Sequence, residues 1–144
     1  MADPPSSESG EQLHSQVGVE VIQVEQARQI LADAIAAGIP HFVFDTRGRE
    51  DRESIFREIR NSIPLDPPLA SSGSWDALSD SLFGGLYETS GEFVTVVWMN
   101  AGWREGVAGD LLTTFQIFEE VVALLQDERA TAGKPKRVLV YITN

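Results

Sequence analysis

Residues 92–99 read EFVTVVWM, and apolar and β-branched residues follow one another there almost without a polar break. A strand with one wet face alternates; a continuous apolar run of this length reads as a strand covered on both faces, the situation of a parallel sheet packed between helices. HFVFD (41–45), following Pro40, and RVLVYIT (137–143) have the same character. Between these runs lie segments with helical spacing. REDRESIFREIRNSI (49–63) puts Ile55, Phe56, Ile59 and Ile63 on one stripe, with acids early and arginines later as the helix dipole favours. DLLTTFQIFEEVVALLQDERATAG (110–133) aligns Leu111, Leu112, Phe115, Phe118, Val121, Val122 and Leu125, with Gly133 near its end. Parallel neighbours cannot be joined by a tight turn and need a crossover of helical length. The expectation is an α/β fold: a small three-stranded parallel sheet flanked by helices.

On the N-terminal side, VEVIQV (19–24) reads as a short strand, and EQARQILADAIAAG (25–38) as a helix with Ala27, Ile30, Leu31, Ala34 and Ile35 on one stripe before a glycine stop. Residues 18–40 are therefore expected to form an accessory strand and helix outside the main unit at 41–144. Residues 1–17, rich in Pro, Ser, Gly, Glu and Gln, lack the apolar side chains that could offset their ordering entropy and read as a disordered tail. PLDPPLASSG (64–73) reads as a loop, because prolines remove backbone donors and bias the residues before them away from helix.

The chain has 144 residues, of which 42% are hydrophobic, enough for one domain with a core. Its formal charge is −11, from 22 acidic and 11 basic side chains, which disfavours direct contact with nucleic acid or an anionic membrane surface and points to a basic partner. The excess is local: residues 61–128 hold eleven acids (Asp66, Asp76, Asp80, Glu88, Glu92, Glu105, Asp110, Glu119, Glu120, Asp127, Glu128) against Arg104 as the one base, whereas residues 129–144 hold four bases and no acid. Without cysteine there is neither disulfide framework nor thiol chemistry. With His14 and His41 as its two histidines, the sequence offers no zinc pair and no catalytic triad. The start lacks a basic stretch followed by an apolar run, and no segment has the roughly twenty apolar residues of a membrane span; a cytoplasmic location is expected.

SGSWDALSDSLFGG (72–85) is where candidate chemistry concentrates. Ser72 or Ser74 can cap a helix, Asp76 suits its first turn, Trp75, Leu78 and Leu82 can share an inward face, and Gly84 and Gly85 are expected to end it. Asp76 and Asp80, four apart, share a helical face with Cβ atoms about 5–6 Å apart, a like-charge pair that costs an exposed helix a few tenths of a kcal/mol. Neither has a lysine or arginine within a turn. Two readings follow: solvated carboxylates, or charge held for a cationic ligand. Glu119 and Glu120 border the stripe of the long helix; paired with Asp76 or Asp80 they could form an acid and base couple or ligate magnesium, the chemistry of a small hydrolase. Arg47, Arg49, Arg52, Arg57 and Arg60, interleaved with acids, read as a solvated mixed face. Trp98 and Trp103 could be binding aromatics, though Trp98, in a buried-type strand, reads as core.

WDALSDSL (75–82) resembles the signature of the barstar family, small intracellular inhibitors of secreted ribonucleases whose inhibitory helix reads approximately G-x-N-(L or W)-D-A-L-x-D-x-L. The resemblance continues through VTVVW, FQIFEEVV and RVLVYIT in the same order, over about 41–144. It implies a barstar-like fold and a protein that inserts carboxylates into the cationic phosphate site of a basic ribonuclease or related nuclease toxin, with no cofactor and no catalytic activity. By motif position the inhibitory carboxylates are Asp76, Asp80 and Glu120, with Ser72, Gly73, Ser74, Trp75 and Ser79 as surrounding contacts. The LASSGS stretch (69–74) carries serines where family members have aromatics followed by glycine, and Ser79 stands where the best-known member has tryptophan. A barstar-like scaffold without inhibitory activity is the further alternative those positions raise.

Overall fold

The computed structural model describes residues 18–71 and 73–144. In chain order the elements are β1 (Val19–Val21), α1 (Val24–Ala37), β2 (His41–Asp45), α2 (Arg52–Ser62), α3 (Trp75–Glu88), β3 (Phe93–Met99), α4 (Gly109–Gln126) and β4 (Arg137–Ile142). The strands form one parallel sheet in the order β1-β4-β3-β2. The sheet thus has four strands where three were expected: β1 is no separate accessory but pairs with β4, Val19 facing Val140 and Val21 facing Ile142. Residues 1–17 lie outside the described part, so the tail expectation is not addressed by it.

Register explains the burial. Val94, Val96 and Trp98 of β3 align with Val138, Val140 and Ile142 of β4, and Phe42 and Phe44 of β2 stand beside Val96 and Trp98. Most of this face packs on α2, α3 and α4 in a core that includes Ile55, Phe56, Ile59, Leu78, Leu82, Leu86, Phe118 and Val121. Each such side chain, fully buried, contributes about 1.5–3 kcal/mol before entropy is counted. Trp98 stacks on Phe44 at 5.3 Å between ring centroids, and its Nε1 donates to Thr46 Oγ1 at 2.8 Å, so the one polar atom of this core indole is satisfied. On the opposite face, buried Thr95 and Val97 lie on the side covered by α1, whose own buried residues are the small Ala27 and Ala34. Ile35, expected on the buried stripe of α1, is 62% exposed; one helix resting on two alanines covers too narrow a band to shelter it.

Helix ends follow their local chemistry. Asp51 caps α2, accepting from the Ser54 N–H at 2.9 Å, Ser74 caps α3, accepting from the Ala77 N–H at 3.0 Å, and Gly38 closes α1 in the left-handed region at φ 70°. The long helix α4 stops at Gln126, seven residues before the expected glycine, and residues after it run in turns. Gly84 and Gly85 do not end α3, which continues to Glu88. Their role is close approach: a Cβ at Gly84 would lie 2.0 Å from the Asp66 carbonyl oxygen, and one at Gly85 1.8 Å from that of Pro64. The proline-rich loop crosses α3 there, backbone against backbone, and the Asp66 N–H donates to the Ser81 carbonyl at 3.0 Å.

Two stability predictions arise from these contacts. Lys136 is buried just before β4 and its ammonium donates to the carbonyls of Thr89 and Gly91, tying the turn after α3 to the sheet. Burial pulls its pKa below the ordinary lysine value, with Glu88 opposing. Lys136→Met leaves two carbonyls without their donor and is expected to cost about 1–3 kcal/mol in urea unfolding. The second concerns acid. Arg104, hydrogen-bonded to Glu50 at 2.7 Å, holds the Glu50 carboxyl below its ordinary pKa, and the hydrogen bonds from Ser54 do the same for Asp51. Depressed carboxylate pKa values lend stability above the ordinary carboxylate range, and that stability is lost as pH falls through the folded-state values. Thermal midpoints should therefore drop below about pH 4, with a shallower drop in Glu50→Gln.

Candidate functional site

The site is built where the first two turns of α3 lie against α4. Leu78, Ser81, Leu82, Gly85 and Leu86 are the buried residues of α3, and Leu111, Thr114, Ile117, Phe118, Val121, Val122 and Leu125 those of α4. With those faces spent on packing, helical geometry turns Asp76 and Asp80 outward on α3 and Glu120 outward on α4; all three are exposed. The two helices meet at Ser79, whose Oγ donates to Glu120 Oε1 at 3.4 Å. Residues 41 apart in sequence are thereby held side by side.

A groove of about 330 Å³ runs between the helices, lined by Trp75, Asp76, Ser79, Thr113, Gln116, Ile117 and Glu120. Trp75 forms part of its wall and is half-buried, braced edge-on by Phe56 at 5.1 Å and 65°. The Ser74 hydroxyl is engaged in the helix cap, and Gly73 is half-buried with open space where a Cβ would stand. Ser72 lies outside the described residues. Asp80 is not among the groove residues; it stands on the exposed surface of the same helix. Glu119 is half-buried and likewise does not line the groove. Thr113 and Gln116 were not singled out from the sequence, yet with Glu120 they follow the i, i+3, i+7 spacing of one helical face. That spacing was the available signal.

Electrostatically the site is unneutralised. The ion pairs among the described residues are Arg57 with Glu58 at 3.9 Å and Arg104 with Glu50 at 2.7 Å; none involves Asp76, Asp80 or Glu120. The aspartates also make no hydrogen bond through their carboxylates among the described residues, so their acceptor capacity is open to an incoming donor. Asp76 additionally sits in the first turn of α3, where the helix dipole favours negative charge. Among the described residues, no group of three or more His, Cys, Asp or Glu side chains is arranged to hold a metal ion.

Other expectations resolve locally. Trp98 is core, as read. Trp103 stacks on Phe115 at 4.3 Å, and its backbone is bonded through both N–H and carbonyl to the Asn144 side chain. Of the arginine group, Arg60 is half-buried, and one of its guanidinium nitrogens has no hydrogen-bond partner among the described residues, a departure from a purely solvated face. Larger clefts, of about 460 and 570 Å³, lie beside Glu92, Pro135 and Lys136, but there the lysine ammonium is already bonded to Thr89 and Gly91.

Compared with protein-family models, with curated proteins and with solved structures, the chain has no match in any of the three. No helix among the described residues is long and apolar enough to cross a membrane.

Proposed function

We propose that this protein is a barstar-like inhibitor of a basic ribonuclease or related nuclease toxin, acting in the cytoplasm as an antitoxin or immunity protein. The observation that carries the reading is the juxtaposition of Asp76, Ser79 and Glu120 across α3 and α4, with Asp76 and Asp80 free of any cationic partner among the described residues. A like-charge pair without compensation is a cost to the folded chain alone. It becomes favourable when a partner supplies the cations.

The mechanism is electrostatic complementarity. Carboxylates on a rigid helix stand where substrate phosphates bind, accept charge-assisted hydrogen bonds from active-site arginines and lysines, and speed encounter through the long-range field of a −11 chain. Ser79 braces Glu120 in this arrangement, and Trp75, fixed by Phe56, offers an aromatic edge beside the charges. Gly73 and Ser74 complete the rim of the proposed interface, and Ser72, proposed as a further contact, lies outside the described residues. The protein performs no reaction and requires no cofactor in this reading.

The test is a pull-down and inhibition screen against basic nucleases from the same organism, run alongside Asp76→Ala and Asp80→Ala. Expected is capture of a basic nuclease by the unaltered chain and loss of capture with the substitutions. Capture that survives both would remove the phosphate-mimic mechanism. A magnesium titration followed by thermal unfolding addresses the hydrolase alternative: metal-dependent stabilisation would favour it, because a ligand that binds only the folded state raises apparent stability.

A further inference from the structure

The sheet ends on one side at β2, and the outer edge of that strand is open. The Pro40 carbonyl accepts from the Thr95 N–H at 2.9 Å and the Thr46 N–H donates to the Met99 carbonyl at 3.3 Å. With His41 beside Thr95 and Asp45 beside Met99, strand alternation turns the backbone groups of Phe42 and Phe44 toward β3 and those of His41, Val43 and Asp45 outward. Among the described residues, these outward N–H and carbonyl groups have no hydrogen-bond partner. Native edges are commonly blunted by charged side chains, lysine above all, by proline, a bulge, extreme shortness or a covering element; the one acidic residue of β2 is Asp45, at its end. β2 has no lysine or proline and an uninterrupted register, whereas the opposite edge strand, β1, has three residues.

The strand's sequence, HFVFD, is nearly palindromic about Val43. We propose that β2 pairs antiparallel with β2 of a second copy about a two-fold axis through Val43, joining the two sheets edge to edge. In that register the outward residues form hydrogen-bonded pairs, each exchanging two backbone bonds: Val43 with its twin, and His41 with Asp45 of the second copy, twice by symmetry. Phe42 falls opposite Phe44. Val43, 40% exposed, gains a cross-strand apolar neighbour on the sheet face that carries α1. His41 can donate to the carboxylate it meets as an imidazolium: its Nδ1 lies 3.1 Å from the Ile39 carbonyl, and in the doubly protonated ring Nε2–H is the donor left for Asp45 of the second copy. Asp45 accepts from Asn100 Nδ2 and from the Arg47 N–H, and a carboxylate has about four acceptor positions, so one remains. Isologous pairing consumes the exposed edge in both copies and closes at the dimer.

The test is sedimentation velocity of the full chain over a concentration series, with circular dichroism and thermal unfolding on every variant. Expected is a concentration-dependent doubling of the weight-average mass. Val43→Pro removes an outward N–H that β3 does not use; it is expected to stay monomeric at every concentration with its fold intact. Val43→Lys and Val43→Glu should each be monomeric alone, through like charges at the dyad, and should form a mixed dimer when combined in equal amounts. A wild-type mass that never departs from the monomer overturns the proposal. So does a dimer that persists in Val43→Pro, or a Lys and Glu mixture that fails to associate.

Discussion

Gly85→Ala is expected to destabilise the protein by about 3 kcal/mol or more, at the upper end of overpacking costs, and to lower the thermal midpoint by roughly 10 °C. The added methyl carbon would stand 1.8 Å from the Pro64 carbonyl oxygen, a backbone atom that cannot swing aside as a side chain would. Relief requires lifting the 64–74 loop from α3, and that loop delivers the chain to Ser74, the cap of the same helix. Gly84→Ala, with its nearest contact at 2.0 Å, belongs to the same class. Gly73→Ala is the control: nothing lies within 4 Å of its Cβ position, and its φ lies outside the left-handed region. Urea unfolding of the three variants checks the ordering; a Gly85→Ala protein as stable as Gly73→Ala would show that the loop does not rest on the helix as described.

Asp80→Ala is expected to act in the opposite sense, leaving stability alone and removing binding. Its carboxylate is exposed and has no ion pair among the described residues, and removing one of two like charges four residues apart relieves a few tenths of a kcal/mol. The thermal midpoint should therefore hold or rise slightly. Against a basic nuclease, truncating one partner of a desolvated charge pair costs about 2–5 kcal/mol, which corresponds to roughly 30-fold to several-thousand-fold weaker binding. Asp76→Ala should follow, tempered by loss of its favourable place in the first turn of α3. Glu25→Gln, an acid on α1, changes net charge equally and should affect affinity little. Equal losses in Asp80→Ala and Glu25→Gln would reduce the effect to overall charge.

How much of this could be read from the sequence depended on whether each residue's role is local. A continuous apolar run announced β3, whose Val94 to Trp98 are all buried; β2 and β4 carry the same kind of run but are covered mainly on one face, with Val43 exposed and Leu139 and Tyr141 half-buried, so in them the run marks a strand without marking two covered faces. β1 escaped assignment to the sheet because three residues, with Glu20 half-buried and Val21 exposed, carry no such run; pairing with β4 is a tertiary fact. Gly84 and Gly85 were misread as a helix stop because the sequence does not say what crosses a helix. Here it is the backbone of Asp66, against Gly84, and of Pro64, against Gly85, about twenty positions upstream. At the candidate site, Asp76 and Asp80 were visible through their spacing. Glu120 was distinguished from Glu119 by family resemblance, and the groove residues Thr113 and Gln116 become meaningful only once α4 is laid beside α3.

The most direct measurement is titration of a basic ribonuclease with the unaltered protein and with the Asp76→Ala, Asp80→Ala double variant, following ribonuclease activity at low and high salt. Expected is stoichiometric inhibition by the unaltered chain, association that slows as salt screens the charges, and inhibition largely abolished in a double variant that still unfolds cooperatively. Inhibition of equal strength by both proteins, or no inhibition of any basic nuclease of the source organism, would contradict the proposal that these carboxylates stand in for substrate phosphates.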